Sequence, residues 1–474
     1  MTFPHDFSMT IDGRAAPADG HFDVINPATE RAFASAPECS RAQLDEAVAS
    51  ARAAFPVWAA TPMETRRKCV HALGQLLIDN AETLMAVLTM EQGKPHREAR
   101  MEVSGSGMRL QAIATQDLPT LHADDGAGRL FETRHMPLGV VGAIVPWNFP
   151  LALAVFKLGP ALLTGNTVIL KPSPFTPLTT LAMGELARAV LPPGVFNVVS
   201  GGDALGPWIT AHQGIDKITF TGSTQTGRRV MESAALTLKR VTLELGGNDA
   251  AIVLPDADVR KLAEQLFWSA FTNNGQLCIA TKRLYIHDAI YRPLTTELAE
   301  LARTVKVGDG AQPGTQLGPI NNRPQYQRVL GLLQDIRDSG YTVLAGGGPA
   351  PAPGYFVPVT LVDDPPDASR IVREEQFGPV LPLLRFSDID DAIARANASE
   401  FGLGGSVWSA DEDRAAAVAR RLDTGSVFIN GLPRLSAFAP FAGRKQSGVG
   451  IEGGIEGMLE FTSPQTVFRN RPTG

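Results

Sequence analysis

A chain of 474 residues is longer than one hydrophobic core usually serves, so two or three domains are expected. Hydrophobic residues make up 44% and charged residues 19%, which excludes an extensively disordered protein. The balance of 43 basic and 49 acidic side chains, −6 in all, comes without a dense basic patch interleaved with aromatics, so no nucleic-acid surface is expected. Three cysteines, Cys39, Cys69 and Cys278, are odd in number and widely spaced. They form neither a disulfide framework nor a CxxC metal signature, so no metal and a reducing cytoplasmic setting are expected. The start, MTFPHDFSMTIDG, lacks a basic region followed by an apolar run, so no secretory leader is expected. The most apolar stretch, 149–163, is interrupted by Lys157 and Pro160 and is too broken to span a membrane.

From residue 1 to about 56 the chain reads as loop with short strand signals. Helical periodicity runs over 65–88 and again over 97–114. A polar link, DLPTLHADDGAG, leads into 129–146, which reads as strands. Short apolar runs then recur at 166–171, 196–200, 217–220 and 241–245, separated by helix-like segments at 153–163, 178–190, 204–211 and 225–235. Strand and helix alternating at this spacing imply a parallel sheet with right-handed crossovers. A second series, AAIVL, RLYIH, VLPLLRF, GSVWS and GSVFIN, alternates with helical stretches and suggests a second α/β domain over about 246–441. AGGGPAPAPG, at 345–354, reads as a surface loop, and no repeat of solenoid period is present.

Several motifs sit at the ends of these strands. VPWNFP holds Trp147 between prolines and brings the Asn148 amide, which can serve an oxyanion or an Asx turn. Lys171, in KPSPFTP, ends a strand and would face the crevice where open α/β sheets bind ligands; a solvated lysine is the plainer reading. FTGSTQTG follows another strand and opens a helix, so its free amides suit a phosphate, although a simple turn has equal weight. Glu244, in LELGGND, lies in an apolar strand, where desolvation would raise its pKa toward that of a general base. Pairing with a cation is the usual alternative for one buried carboxylate. Cys278, in NNGQLCIA, has a polar, glycine-bearing approach that favours reactivity over packing.

The order of the motifs decides among these readings. PWNFP, KPS, FTGST, ELGG, GQLCIA, EEQFGP and PFAGRKQSG follow one another in a succession that resembles the NAD(P)-dependent, non-phosphorylating aldehyde dehydrogenase superfamily over about residues 10 to 470. The resemblance implies an α/β protein with a Rossmann-like cofactor domain (1–115 and 138–245), a catalytic thiol domain (246–441) and a small β bridging element (116–137 and 455–474). It implies that Cys278 is the nucleophile, that Asn148 and the Cys278 N–H form the oxyanion hole, and that Glu244 activates water. Lys157 and Glu452 match positions proposed to relay protons. Cofactor contacts are implied for Val145, Pro146, Trp147, Lys171, Ser173, Gly201, Phe220, Gly222, Ser223, Leu245, Gly246, Glu375 and Phe377. The substrate tunnel is implied to include Phe149, Leu153, Phe156, Leu277, Ile279, Leu435 and Phe441, an apolar lining that suits an aliphatic or aromatic aldehyde. A homodimer or homotetramer is implied.

The chain departs from the family at two places. Many relatives carry Glu where this chain has Pro174, and that Glu holds the ribose hydroxyls. Its loss removes a repulsion against a 2′-phosphate, which leaves NADP open; NAD is preferred because no basic residue follows in PSPFTP. Asn248 stands where many relatives have Lys. Arg434, near the implied tunnel mouth, gives a semialdehyde as the alternative substrate. A CoA-acylating relative would lack the base at Glu244, a cysteine hydrolase would need a Cys–His pair in a recognisable motif, and a non-catalytic protein on this fold would not need Cys278, Glu244 and Asn148 together.

Overall fold

The computed structural model describes residues 6–126, 129–350 and 353–470. Residues 1–5, 127–128, 351–352 and 471–474 fall within the segments assigned above to the start of the cofactor domain, the polar link, the Gly/Pro loop and the tail, and lie outside the described residues. Two large sheets organise the chain. The first runs, from edge to edge, Arg14–Ala16, Met9–Ile11, Phe196–Val198, Thr167–Lys171, Val140–Ile144, Lys217–Thr221, Arg240–Glu244, Gly448–Val449. Its five inner strands are parallel. In chain order they read 3-2-1-4-5, so the direction of winding reverses beside Val140–Ile144. Crevices open at the carboxyl ends of strands at such a reversal. These strands are buried along almost their whole length, as a parallel sheet covered on both faces requires.

The second sheet has the order Val343–Ala345, Thr360–Asp363, Val380–Phe386, Thr281–His287, Asp249–Val253, Gly404–Trp408, Ser426–Ile429, parallel except for its first strand. One apolar cluster fills each of its faces, while a separate large cluster serves the first sheet. A third, antiparallel sheet joins Leu121–Asp124, Arg129–Pro137 and Thr462–Asn470. The mixed α/β architecture with two mainly parallel sheets is the fold class expected from the sequence.

Several sequence expectations need correcting. Residues 41–56 are not loop: Arg41–Ala60 is a helix of 20 residues. Ser40 and Gln43 form a reciprocal capping box at its start, and Pro56 sits inside it. The capping box supplies two orphan donors with partners, and the chain stays helical through the proline. The single helical run over 65–88 is two helices, Met63–Asp79 and Ala81–Gln92, broken at Asn80. The polar link contains the strand Leu121–Asp124, whose side chains are mostly exposed and therefore show no buried alternation.

Candidate active site

Four of the five inner strands of the first sheet deliver site residues at or directly after their carboxyl ends. Val145 to Asn148 follow Val140–Ile144; Lys171 ends Thr167–Lys171, with Ser173 just beyond; Gly222 and Ser223 follow Lys217–Thr221, within which Phe220 lies; Glu244 ends Arg240–Glu244, with Leu245 and Gly246 next. Gly201 lies three residues beyond the fifth, Phe196–Val198. Ser223 caps the helix Thr224–Ala235, its Oγ accepting from the Thr226 N–H at 3.2 Å, and that helix starts directly after the carboxyl end of Lys217–Thr221, where the first amides of a helix suit an anion. A Cβ at Gly222 would meet the Phe220 ring at 2.4 Å, so any side chain there would have to displace that ring. Lys171 is buried and, among the described residues, donates only to the neighbouring Pro172 carbonyl at 3.1 Å. Burial lowers its ammonium to about 8, opposed by Asp203, and leaves it able to take a hydroxyl partner. These features fit a dinucleotide: an anion site at a helix start, a glycine cradle and an under-partnered lysine.

The second domain faces this crevice. Trp147 meets the Phe377 ring edge-on at 5.3 Å, and Phe377 takes a left-handed backbone, φ +48°. Glu375 accepts from the Gly247 N–H at 3.0 Å, and a Cβ on Gly246 would strike the Glu375 carboxylate at 2.5 Å. The loop of Glu375 and Phe377 is thereby locked beside the end of the strand Arg240–Glu244.

The turn carrying Cys278 follows three left-handed residues, Asn273, Asn274 and Gly275. Gly275 packs so closely on the Gly378 carbonyl that a Cβ would come within 2.3 Å of it. Asn148 is buried, and its side-chain N–H donates to the Gln276 carbonyl at 3.0 Å, which ties it to the turn that carries Cys278. Lys282 completes the turn by donating to the carbonyls of Leu277 at 2.9 Å and Cys278 at 2.5 Å. Burial pushes the Cys278 thiol up to about 12; Lys282 opposes the shift, and Asp249, Glu375 and Glu244 add to it. Glu244 is likewise held well above the ordinary carboxylate range, first by burial and then by Glu452, with Lys157 pulling the other way. Neither Glu244 oxygen has a hydrogen-bond partner among the described residues. Lys157 bonds Glu452 at 2.5 Å and the Thr219 hydroxyl at 3.2 Å, and Glu452 exchanges both backbone hydrogen bonds with Phe441.

The implied tunnel residues divide. Leu277, Ile279, Leu435 and Phe441 gather with Leu403 around Cys278 in one apolar cluster. Phe149, Leu153 and Phe156 lie outside it: Phe149 stacks under the Lys94 ammonium at 3.7 Å, Leu153 packs on the core of the first domain, and Phe156 lies under Arg109 at 3.9 Å. Arg434 is exposed. Sequence reasoning missed Lys94, Glu102, Arg109 and Lys282. Lys94 donates to the Asn148 carbonyl at 2.9 Å and to Glu102 at 2.5 Å. Arg109 donates to the Leu435 carbonyl at 2.7 Å. Nothing in their local sequence marks them; only the interval of four residues from Cys278 to Lys282 was a readable hint.

Known proteins match this chain along nearly all its length. The family model described as "Aldehyde dehydrogenase family" matches residues 15–467. A Pseudomonas protein described as a probable aldehyde dehydrogenase is 42% identical over 99% of this chain and 96% of its own. Aldehyde dehydrogenase 1A1 of Gallus gallus is 38% identical over 94% of this chain and 89% of its own. The NAD+ complex of an aldehyde dehydrogenase from Bacillus cereus superposes with a TM-score of 0.96 at 37% identity, covering 98% of this chain and 96% of that one.

Proposed function

Since the chain belongs to the aldehyde dehydrogenase family and is an oxidoreductase acting on aldehydes with NAD(P), we propose that it oxidises an apolar aliphatic or aromatic aldehyde to the acid through Cys278 and Glu244. The observation that carries this reading is the Glu244 carboxylate, buried with both oxygens unpartnered and close enough for its charge to raise the Cys278 thiol. An orphaned buried carboxylate is costly unless it serves chemistry. Burial raises the pKa of both groups, because it penalises thiolate and carboxylate alike. Glu244 is thereby a stronger base toward the thiol than a solvated carboxylate would be.

The Cys278 sulfur forms a bond to the aldehyde carbon while its proton passes to Glu244. The oxygen of the resulting thiohemiacetal accepts from the Asn148 amide and the Cys278 N–H, two fixed donors in a dry site. Bound NAD supplies the hydride acceptor. Lys171 and Ser173 are suited to the adenine ribose, the amides at Gly222 and Ser223 to the pyrophosphate, and Glu375, Phe377 and Trp147 to the nicotinamide end. The Cys278 thioester that remains is attacked by water, whose proton Glu244 takes. The carbon–sulfur bond breaks, the thiolate is regenerated and the acid leaves.

The apolar cluster around Cys278 supports the substrate class. The exposed position of Arg434 gives no support to a carboxylate-bearing substrate. NAD is preferred to NADP because no basic side chain stands in 172–177. The three free cysteines are in keeping with a cytoplasmic protein, and no described helix is long and apolar enough to cross a membrane. The small sheet exposes Leu121, Leu130, Met136, Val467 and Phe468, which suits burial against a second copy in a dimer or tetramer. The test is direct. Cys278→Ala should abolish NADH production across an aldehyde panel, while Cys39→Ala and Cys69→Ala keep it; turnover by Cys278→Ala at a near-normal rate would refute the mechanism.

A further inference from the structure

Glu244 takes a proton from water in every turnover, and one from the resting thiol before the first, so it must be cleared before it can act again. It lies wholly buried at the carboxyl end of its strand. The pairing of that strand with its neighbour shows where a proton can go. Thr221 lies opposite Glu244 and Thr219 opposite Thr242, with Lys217 two residues before Thr219. Alternation along a strand puts Lys217, Thr219 and Thr221 on one face, alongside Thr242 and Glu244. At the inner end, the Thr221 hydroxyl, like both Glu244 oxygens, has no partner among the described residues. In the middle, Lys157 joins Glu452 to Thr219. At the outer end, Lys217 donates to the Thr242 hydroxyl at 2.7 Å, and Thr242 donates to Glu460 at 2.9 Å. Lys217 has no exposed side-chain surface, whereas Glu460 is 26% exposed.

We propose that Lys217, Thr242 and Glu460 are the outer segment of the route by which the proton taken up at Glu244 reaches solvent. The inference rests on the reading of Glu244 as the base. The direction of the hydrogen bonds favours export: Thr242 accepts from the ammonium and donates to the carboxylate. The transfer balances as a relay, with each group passing on one proton and regaining one, and water at Glu460 taking the last. Burial lowers the Lys217 ammonium to about 8, with Glu460 opposing, so it can give up and recover a proton near neutral pH. The segment is sealed from the side. The Phe461 ring lies 5.1 Å from the Lys217 nitrogen, and Gly450 (φ +85°) presses so near that a Cβ would meet Thr242 and Glu460 oxygens at 3.1 Å.

Glu460→Gln, at the partly exposed end, and Thr242→Val, nearly isosteric, test the route. Both should leave the burst of NADH and the KM for aldehyde intact. Both should lengthen the life of the acyl adduct on Cys278, read by mass spectrometry after quenching, by on the order of tenfold, less than the 10² to 10⁴ typical of losing a general base. A hindered, non-nucleophilic buffer base should restore the rate in Glu460→Gln as its concentration rises, which a merely structural defect would not allow. Wild-type adduct lifetimes in both variants, or slowing that no buffer relieves, would overturn the route. If Glu244→Gln stalls while these variants do not, the base stands and the route falls; if Glu244→Gln turns over normally, both fall.

Discussion

Two buried lysine–glutamate pairs engage the helix Pro150–Leu163, one at its start and one through its own Lys157, and they look alike at first. Lys94–Glu102 and Lys157–Glu452 are each 2.5 Å apart, and none of the four side chains is more than 4% exposed. Their surroundings differ. Lys94 also reaches the Asn148 carbonyl, and the second Glu102 oxygen accepts from the N–H groups of Leu151 and Ala152. That pair is closed: it ties the start of the helix to Asn148, with each carboxylate oxygen occupied. Lys157–Glu452 instead borders Glu244, whose oxygens have no partner among the described residues. A fully satisfied network rigidifies its site, whereas an unpartnered buried carboxylate is held at a cost.

Breaking either pair should separate these roles. Removing one member of a buried pair strands the other, at a cost of about 3–5 kcal/mol. Lys94→Met should therefore lower the thermal midpoint strongly in a melting experiment. It should also reduce kcat by a similar factor at every pH, because it loosens Asn148 without touching the titrating group. A pH-dependent loss there would break the comparison. Lys157→Met should show a smaller but more telling effect in a pH–rate profile. Glu244 must be ionised to act as base, and its pKa is raised, so activity falls as pH drops through that value. Lys157 pulls the value down; without it the acid limb of kcat should move to higher pH. An unmoved limb would mean that Lys157 is scaffold after all.

Much of this was legible in the sequence. The alternation of short apolar runs with helical segments gave both parallel sheets, because strands buried on both faces read as unbroken apolar runs. The motifs with site residues lie where those runs end, although the 3-2-1-4-5 strand order means that their succession in the chain is not their order across the crevice. The closed pair was not legible. Lys94 and Glu102 carry no motif, and their burial follows from how three segments meet. The helix Arg41–Ala60 falls mostly in a stretch that reads as loop, although the Ser40–Gln43 spacing of a capping box is there in the sequence. Which of the implied tunnel residues pack together was not legible either: Leu277, Ile279, Leu435 and Phe441 cluster at Cys278, while Leu153 packs on the core of the first domain.

The measurement closest to the central claim is rapid mixing of Glu244→Gln with aldehyde and NAD, followed by mass spectrometry of the quenched protein. The amide is nearly isosteric but accepts no proton from water. A burst of NADH approaching one per active site is expected, then a steady rate lower by on the order of 10² to 10⁴, with an acyl group on Cys278. Full steady-state turnover by Glu244→Gln, with no adduct, would contradict the assignment of Glu244 as the base that releases the acid.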